Sequence, residues 1–260
     1  MKSDSLLTLK LIIIMKQFTN ALMLGAISIA LVALSSCGGD REAPMAINGV
    51  AGDLHYADTV LLSTTGAPAD AVVSYTTSNE YVAVISGDTL FANHVGEAVV
   101  TATAGDKTAT LNVKVAAKYN LATEPLWAWG VTPDELKAKK TDEPAQESET
   151  SIFYLQNAEK KIYEAYIFKN NALIASALQI QDVSKETINE YLYFLMERYQ
   201  YAGTSKDQTT LYFVDAMTLE DATKMLLVYT QQNSLIIEYQ PYEQQSNAPA
   251  WKAAKRMPLF

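Results

Sequence analysis

The alternation of apolar and polar residues between positions 98 and 115 is the sequence feature that most constrains the fold. In its last run the apolar positions are Ala109, Leu111, Val113 and Val115, with polar residues between them. A period of two places one side of an antiparallel strand in a core and the other in water. Gly105-Asp106 precedes this run and predicts a tight turn with positive φ. Similar short runs recur about every ten residues from position 46, which predicts a β-sandwich or barrel.

Residues 46–117 also carry a series of short motifs that are typical of one family. These motifs are Tyr75-Thr76-Thr77-Ser78-Asn79, Val82-Ala83-Val84, Leu90, Gly96 and Ala98-Val99-Val100-Thr101-Ala102. Together they resemble the bacterial immunoglobulin-like group 2 domain, although the family usually has tryptophan in place of Tyr75 and its turn glycine is shifted here to Gly87. The resemblance implies an all-β immunoglobulin-like sandwich of the kind found in adhesins and other cell-surface proteins. Because a fold alone does not give a function, we expect this domain to act as a spacer.

Residues 118–243 combine strand patterns with helix patterns. Thr132-Pro133-Asp134-Glu135 is a capping box that predicts a short helix, and Ser184 is expected to cap a second helix. The second helix has an apolar stripe at Ile188, Tyr191, Leu192, Leu195 and Tyr199. Three strand-like runs precede it (151–155, 161–168 and 172–180) and three follow it (209–214, 223–230 and 234–240). The pattern predicts an α+β domain, an antiparallel sheet with helices on it, with two related halves as one arrangement. The charged segment 137–149 is expected to end the first helix and continue as an exposed loop.

The amino terminus has the layout of an export signal. Lys16 precedes an apolar run over 21–34, and Leu34-Ser35-Ser36-Cys37 follows it. This segment resembles the signal of bacterial lipoproteins, which implies cleavage between Ser36 and Cys37 and lipid on the Cys37 thiol. A transmembrane helix is the alternative, but a run of about 14 apolar residues is short of the roughly 20 that span a bilayer. We therefore expect residues 1–36 to be a signal peptide, with Met15 as the better start.

The residues after Cys37 bear on location. Residues 37–45 lack a periodic apolar pattern and are predicted to be a tether. Some lipoproteins are retained at the inner membrane by an aspartate directly after the cysteine, but Gly38 stands there, so an outer-membrane location is expected. Asp40 and Glu42 resemble the surface-export signal of Bacteroidetes lipoproteins, which adds an expectation of cell-surface exposure. At the other end of the chain, residues 244–260 are expected to form a poorly ordered tail.

Composition and motifs argue against several functions. The net charge of −9 disfavours nucleic acid as a partner, and the single cysteine excludes an intramolecular disulfide. His55 and His94 have no second histidine or cysteine at metal-ligand spacing, so we expect them at the surface or in turns, and no metal or cofactor is predicted. The chain has no phosphate loop, nucleophile elbow or dinucleotide fingerprint. We therefore predict no catalytic residues, although a carboxylate pair brought together by folding stays open.

Aromatic residues are the remaining signal for binding. The chain has 15 tyrosines, and Trp127 and Trp129 stand together at the start of the second domain. Tyrosine and tryptophan suit glycan or protein ligands, but aromatic residues also fill ordinary cores. The leading hypothesis is a non-enzymatic lipoprotein that binds the membrane through Cys37 and displays a binding domain, with Trp127 and Trp129 as binding residues. The alternative is a glycan-processing or enzyme-inhibitory protein that acts through the second domain.

Overall fold

The computed structural model of this chain describes residues 43–242. This part consists mostly of antiparallel sheets, with two helices of 5 and 12 residues. This part consists of two compact units, 43–118 and 119–242, with the break between Lys118 and Tyr119. The predicted signal peptide, the cleavage site at Ser36 and Cys37, most of the tether and the predicted tail lie outside the described residues.

The unit 43–118 is built from eight strands in three antiparallel sheets. The strands are β1 (Ala46–Asn48), β2 (Thr59–Leu61), β3 (Ser63–Thr65), β4 (Ser74–Thr77), β5 (Ala83–Ser86), β6 (Thr89–Ala92), β7 (Gly96–Ala104) and β8 (Lys107–Val115). Their order in the sheets is β1-β3, β2-β6-β5 and β4-β7-β8. This arrangement agrees with the predicted all-β unit at the level of antiparallel sheets; its assignment to the immunoglobulin-like family stays a prediction.

The apolar positions of the alternating strands form the core of this unit. Ala98 pairs with Val113 across β7 and β8, and both are buried. Gly105 has φ of +64° in the turn between these strands, as its sequence predicts. Gly96 has a different role, because a Cβ there would lie 2.7 Å from Cγ2 of Val82. The close approach of β7 to Val82 therefore requires glycine.

The two histidines differ in their surroundings. His55 is exposed, and its Nδ1 lies 3.0 Å from the carbonyl oxygen of Ala116. His94 lies in the turn before β7, which is one of the two predicted surroundings, but it is buried there, since only 2% of it is exposed. Its ring stacks on Tyr81 at a centroid distance of 4.1 Å, and its Nδ1 lies 2.8 Å from the Tyr81 carbonyl oxygen. Stacking and a backbone contact therefore account for this histidine as part of the packing.

The unit 119–242 contains two helices and a single sheet of eight antiparallel strands. The helices are α1 (Pro133–Lys137) and α2 (Lys185–Met196). The strands are β9 (Gln146–Glu147), β10 (Ser151–Asn157), β11 (Ile162–Lys169), β12 (Ala172–Ile180), β13 (Gln200–Thr204), β14 (Thr210–Val214), β15 (Lys224–Gln231) and β16 (Ser234–Pro241). Their order is β13-β14-β15-β16-β12-β11-β10-β9. Each helix thus precedes a meander of four strands, and the two meanders meet through their last strands, β12 and β16.

Two strands of this sheet were missing from the sequence prediction. β9 has only two residues and pairs with Ile152 and Phe153 at the sheet edge. It lies in the part of segment 137–149 that was expected to be an exposed loop after the end of the first helix. β13 contains Gly203, where the pairing with β14 shifts by one residue. Such a bulge breaks the period of two, so the alternation that marks the other strands is absent from β13.

Both helices begin at the predicted caps. Thr132 and Glu135 exchange the two hydrogen bonds of a capping box at the start of α1, and Leu136 of that helix is fully buried. The Ser184 side chain accepts a hydrogen bond from the Thr187 backbone at the start of α2. Four residues of the predicted stripe are buried in α2 together with Phe194, namely Ile188, Tyr191, Leu192 and Leu195. The fifth, Tyr199, is also buried, but it follows the end of the helix. Since helices make up so little of the unit, its assignment to the α+β class stays a prediction.

The cross-strand register defines two faces of the eight-stranded sheet, because directly paired residues share a face. One row on the first face runs through Ile152, Tyr166, Ser176, Tyr239, Leu226 and Phe213. One row on the second face runs through Phe153, Ala165, Ala177, Glu238, Leu227 and Tyr212. The first face carries the contacts to α1 and to the segment before it, since Leu136 belongs to one apolar cluster with Ile152 and Tyr166.

Candidate functional site

Trp127 lies against the first face of the sheet, in contact with an aromatic ring and a cation. Its ring stacks with Tyr239 at a centroid distance of 6.2 Å, and Nζ of Lys224 lies 3.4 Å from its ring centroid. Tyr199 meets Tyr239 edge-on at 6.3 Å. We use the name Trp127 cluster for Glu124, Trp127, Ser176, Tyr191, Tyr199, Lys224 and Tyr239.

Backbone contacts to the region around α2 fix the start of the segment that carries Trp127. The Tyr119 N–H donates to Oε1 of Glu197 at 3.0 Å, and Arg198 donates to the Tyr119 carbonyl oxygen at 3.0 Å. The Tyr119 ring stacks on Tyr193 of α2 at 5.2 Å. The segment is therefore held by Glu197 and Arg198, which follow α2, and by Tyr193 within α2.

A second attachment lies directly before Trp127. The Leu126 N–H donates to the hydroxyl of Tyr166 at 3.0 Å, and that hydroxyl donates to Oε2 of Glu164 at 2.6 Å. Because Tyr166 is fully buried on β11, this bond ties the segment to the interior of the unit at the first face of the sheet. Trp127 is therefore positioned by two attachments that precede it in the sequence, at Tyr119 and at Leu126.

Five buried polar atoms of the cluster lack a hydrogen-bond partner within the described residues. They are Oε1 of Glu124, Nε1 of Trp127, Oγ of Ser176 and the hydroxyl oxygens of Tyr191 and Tyr239. Buried polar groups in proteins nearly always have a protein or water partner, and leaving one unpaired costs about 1–3 kcal/mol. Ser176 and Tyr239 are paired across β12 and β16, so their side chains start side by side. Each of these unpaired groups therefore costs free energy in the folded chain.

The carboxyl group of Glu124 is electrostatically unusual. Burial raises its pKa, and this effect outweighs the hydrogen bond from Tyr199 and the charges of Arg198 and Lys224, which lower the pKa. Burial likewise raises the pKa of Tyr239 well above its usual value, and Glu124 adds to that shift. Tyr239 therefore stays a neutral hydroxyl that can donate or accept a hydrogen bond.

The cations beside the cluster have anionic partners of their own. Nζ of Lys224 lies 3.6 Å from Oδ2 of Asp215. Despite burial, which opposes ionisation, hydrogen bonds from Thr223 and Lys224 keep the pKa of Asp215 low. Arg198 forms an ion pair with Glu197, whose side chain is buried. Both cations are thus already neutralised by carboxylates.

Trp129 does not belong to the Trp127 cluster, although the two residues were predicted together as binding residues. It packs against the apolar cluster that includes Leu136 of α1, Phe168 and Leu173. The backbone next to Trp129 is fixed as well, because Val131 and Leu173 are joined by a backbone hydrogen bond of 2.9 Å. The position of Trp129 fits the alternative of aromatic residues in a core.

A buried ion pair lies further along the first face. Lys140 pairs with Glu164, and its Nζ lies 5.2 and 5.1 Å from the ring centroids of Tyr154 and Tyr166. Gln156 donates a third hydrogen bond to Glu164, at 2.9 Å. Lys140 follows α1, so this network fastens the charged segment after the helix to the sheet. Lys140 and Glu164 neutralise each other, which fits a structural role.

Glu238 is a further buried carboxyl group with a raised pKa, and the cause of the shift is burial. Tyr229 donates to its Oε2 at 2.8 Å, and Gln240 donates to its Oε1. Glu238 belongs to the second face of the sheet, whereas Glu124 lies with Trp127 and Tyr239 at the first face. The sheet therefore separates these two carboxyl groups, and they do not form the pair that acid–base catalysis requires.

Residues 43–242 contain no group of three or more histidine, cysteine, aspartate or glutamate side chains that could hold a metal ion. Within the same range, no helix combines the length and the apolar character needed to cross a membrane.

The sequence singled out Trp127 but not its neighbours. Glu124, Ser176 and Lys224 are of residue types that are common on protein surfaces, and no motif surrounds them. Tyr239 stands in an apolar strand pattern that predicts burial only. The cluster arises from the pairing of β12 with β16, a long-range contact that no local pattern encodes.

No family model matches this chain, and no curated protein matches it either. Two solved structures of the surface layer protein SbsC are similar to it. The structure of SbsC domains 4–9 is 12% identical over 79% of this chain, with a TM-score of 0.23, and the chain spans 28% of its length. The structure of SbsC domains 5–6 is 12% identical over 77% of this chain and 84% of its own length, with a TM-score of 0.22. At these TM-scores the similarity assigns neither a fold nor a function to this chain.

Proposed function

We propose that this chain is a lipid-anchored protein of the bacterial outer membrane, without enzymatic activity, that displays residues 119–242 as a binding domain. Residues 46–117 would serve as an immunoglobulin-like spacer. The observation that carries the binding role is the Trp127 cluster, in which five buried polar atoms lack a partner among the described residues. The proposed anchor is supported by the resemblance of the segment that ends at Cys37 to the signal of bacterial lipoproteins.

Binding without catalysis fits the chemistry of residues 119–242 better than an enzymatic role. The two glutamates with raised pKa values, Glu124 and Glu238, lie at opposite faces of the sheet. Tyrosine and tryptophan offer contact area and a polar group at low entropic cost, which suits recognition. The glycan-processing alternative would require a pair of acidic groups that act on one bond.

The test is an array of glycans and envelope proteins, probed with a soluble form of the chain that begins at Gly38. A hydrolysis assay of every bound glycan is run beside it. Binding without turnover is the expected result. Turnover of a bound glycan would contradict the non-enzymatic proposal, and absence of binding to the whole array would contradict the binding role.

A further inference from the structure

We propose that the C-terminal segment 243–260 folds back and covers the second face of the eight-stranded sheet. Neither the membrane anchor nor the Trp127 cluster is needed for this contact. Docking of the segment would replace the poorly ordered tail that the sequence alone predicts.

The second face of the sheet is apolar at its centre. Phe153 and Ile236 lie on it and are 1% exposed, and Leu227 beside them is 8% exposed. They belong to one cluster with Ala165, Ala177, Tyr212, Val214, Met225 and Tyr229. An antiparallel sheet can leave a polar face in water, but an apolar face has to be packed against a second layer.

The two helices of the described residues lie at the other face. α1 packs on the first face, since Leu136 shares a cluster with Ile152 and Tyr166. The residues that follow α2 also reach the first face, because Tyr199 meets Tyr239 edge-on at 6.3 Å.

Little else in the described chain covers the second face. Among the residues that pack against its apolar cluster, Ala222 and Tyr242 are the two that lie outside the strands. Two side chains do not form a layer over a cluster of nine residues. The covering layer therefore comes from beyond residues 43–242 or from another molecule.

The described chain ends at this same face. Tyr242 packs against the apolar cluster, and its N–H donates to the Thr223 carbonyl oxygen at 2.8 Å. Segment 243–260 thus starts beside the surface that it would cover. Its 18 residues reach about 60 Å when extended, whereas eight strands about 4.8 Å apart span about 34 Å. The segment is long enough to cross the sheet even if part of it is folded.

The composition of the segment matches the surface. Trp251, Leu259 and Phe260 are large apolar side chains that can pack on the cluster. The segment has three basic residues, at 252, 255 and 256, and one acidic residue, at 243. Residues 119–242 hold 18 acidic and 10 basic residues, so opposite net charges favour the contact.

The apolar run over 21–34 is the other part of the chain that has enough apolar residues for such a layer. It precedes the expected cleavage site at Cys37, so the processed chain would lack it. It is also separated from residues 119–242 by the whole unit 43–118. The C-terminal segment, in contrast, continues directly from a residue on the second face.

The main experiment places a photo-crosslinker at position 251 of the soluble chain from Gly38 onward, and mass spectrometry maps the cross-links. A mixture of isotope-labelled and unlabelled chains separates cross-links within one chain from those between two. A second measurement follows binding of a dye for exposed apolar surface to Trp251→Ala and to a chain that ends at Tyr242. The matched control is Gln245→Ala, which changes a polar residue of the same segment.

We expect cross-links within one chain to second-face residues such as Tyr212 and Leu227. Trp251→Ala and the shortened chain should bind more dye than the wild type, and Gln245→Ala should not. A peptide of residues 243–260 should bind the shortened chain and reduce its dye binding. The same peptide with Trp251→Ala should bind about 10-fold more weakly.

Other results would overturn the proposal. Cross-links to the first face or to residues 43–118 would place the segment elsewhere. Cross-links between two chains would make a second copy the occupant of the face. Unchanged dye binding by the shortened chain, with no binding of the peptide, would show that the second face does not need the segment. If the shortened chain fails to fold, the cross-links of the full chain decide.

Discussion

At the scale of single residues, burial of the Glu124 carboxyl group makes folding stability depend on pH. The pKa of Glu124 is raised above its usual 4.5 in the folded chain, mainly by burial. Ionisation therefore costs more in the folded than in the unfolded state, and the cost develops as pH rises from the unfolded pKa through the folded pKa. We expect Glu124→Gln to become more stable relative to the wild type between about pH 4 and about pH 7. Urea denaturation at the two pH values measures this change.

Glu190→Gln is the matched control, because Glu190 is an exposed glutamate on α2 of the same unit. The stability of Glu190→Gln relative to the wild type should be the same at the two pH values. If both variants change in the same way between the two pH values, burial of Glu124 does not make folding stability depend on pH.

Only some residues of the candidate site could be predicted from the sequence. Trp127 stands out by its residue type, and Tyr239 is expected to be buried from its strand pattern. The contact between them depends on how β16 docks beside β12, and strand order is not encoded in a local period. For the same reason the sequence could not separate Trp127 from Trp129, two positions away, which packs in a different cluster.

At the scale of the elements, the capping box of α1 should contribute measurably to stability because the helix is so short. The Thr132 N–H donates to Oε2 of Glu135 at 2.8 Å, and the Glu135 N–H donates to Oγ1 of Thr132 at 3.3 Å. We expect Thr132→Ala to lower the free energy of unfolding by about 1 kcal/mol. The control is Thr141→Ala, in the exposed segment after α1, which should change it by less than about 0.5 kcal/mol. Equal losses in both variants, measured by chemical denaturation, would contradict a role for the cap.

The elements that sequence predicted well are those with a strong local signal. The β7–β8 pair follows from alternation and the Gly105 turn, and α2 follows from its cap and apolar stripe. β13 was missed because Gly203 and a bulge interrupt its period, and β9 because a two-residue strand has no period at all. Strands and helices with a local sequence pattern were therefore predictable. Strands such as β9 and β13, which are defined by their pairing with a neighbouring strand, were not.

At the scale of the whole molecule, limited proteolysis with a protease of low specificity should separate ordered from accessible segments. Sequence alone predicts first cuts before Ala46, within 139–150 or after Tyr242. The structure narrows the central segment, because Lys140 pairs with Glu164 and Glu147 pairs with Lys137 at 2.8 Å. We expect the first central cut within residues 141–144, which lie between these attachments. Mass spectrometry of the fragments gives the sites, and first cuts within β7, β8 or α2 would contradict the domain boundaries.

The anchor is the last property of the whole molecule to be tested, since the proposed location depends on it. If the Cys37 thiol carries lipid, Cys37→Ala should abolish labelling by a fatty-acid analogue and prevent lipoprotein-type cleavage after Ser36. The variant should then persist as an uncleaved precursor, which only the apolar run over 21–34 would hold, or be released by another peptidase. That run is short for a spanning helix, whereas several acyl chains bind a membrane firmly. Ser35→Ala is the control, because it keeps a small residue at the cleavage site and should retain the label. Labelling that persists in Cys37→Ala, with unchanged membrane retention, would mean that the apolar run holds the protein and that the signal is not that of a lipoprotein.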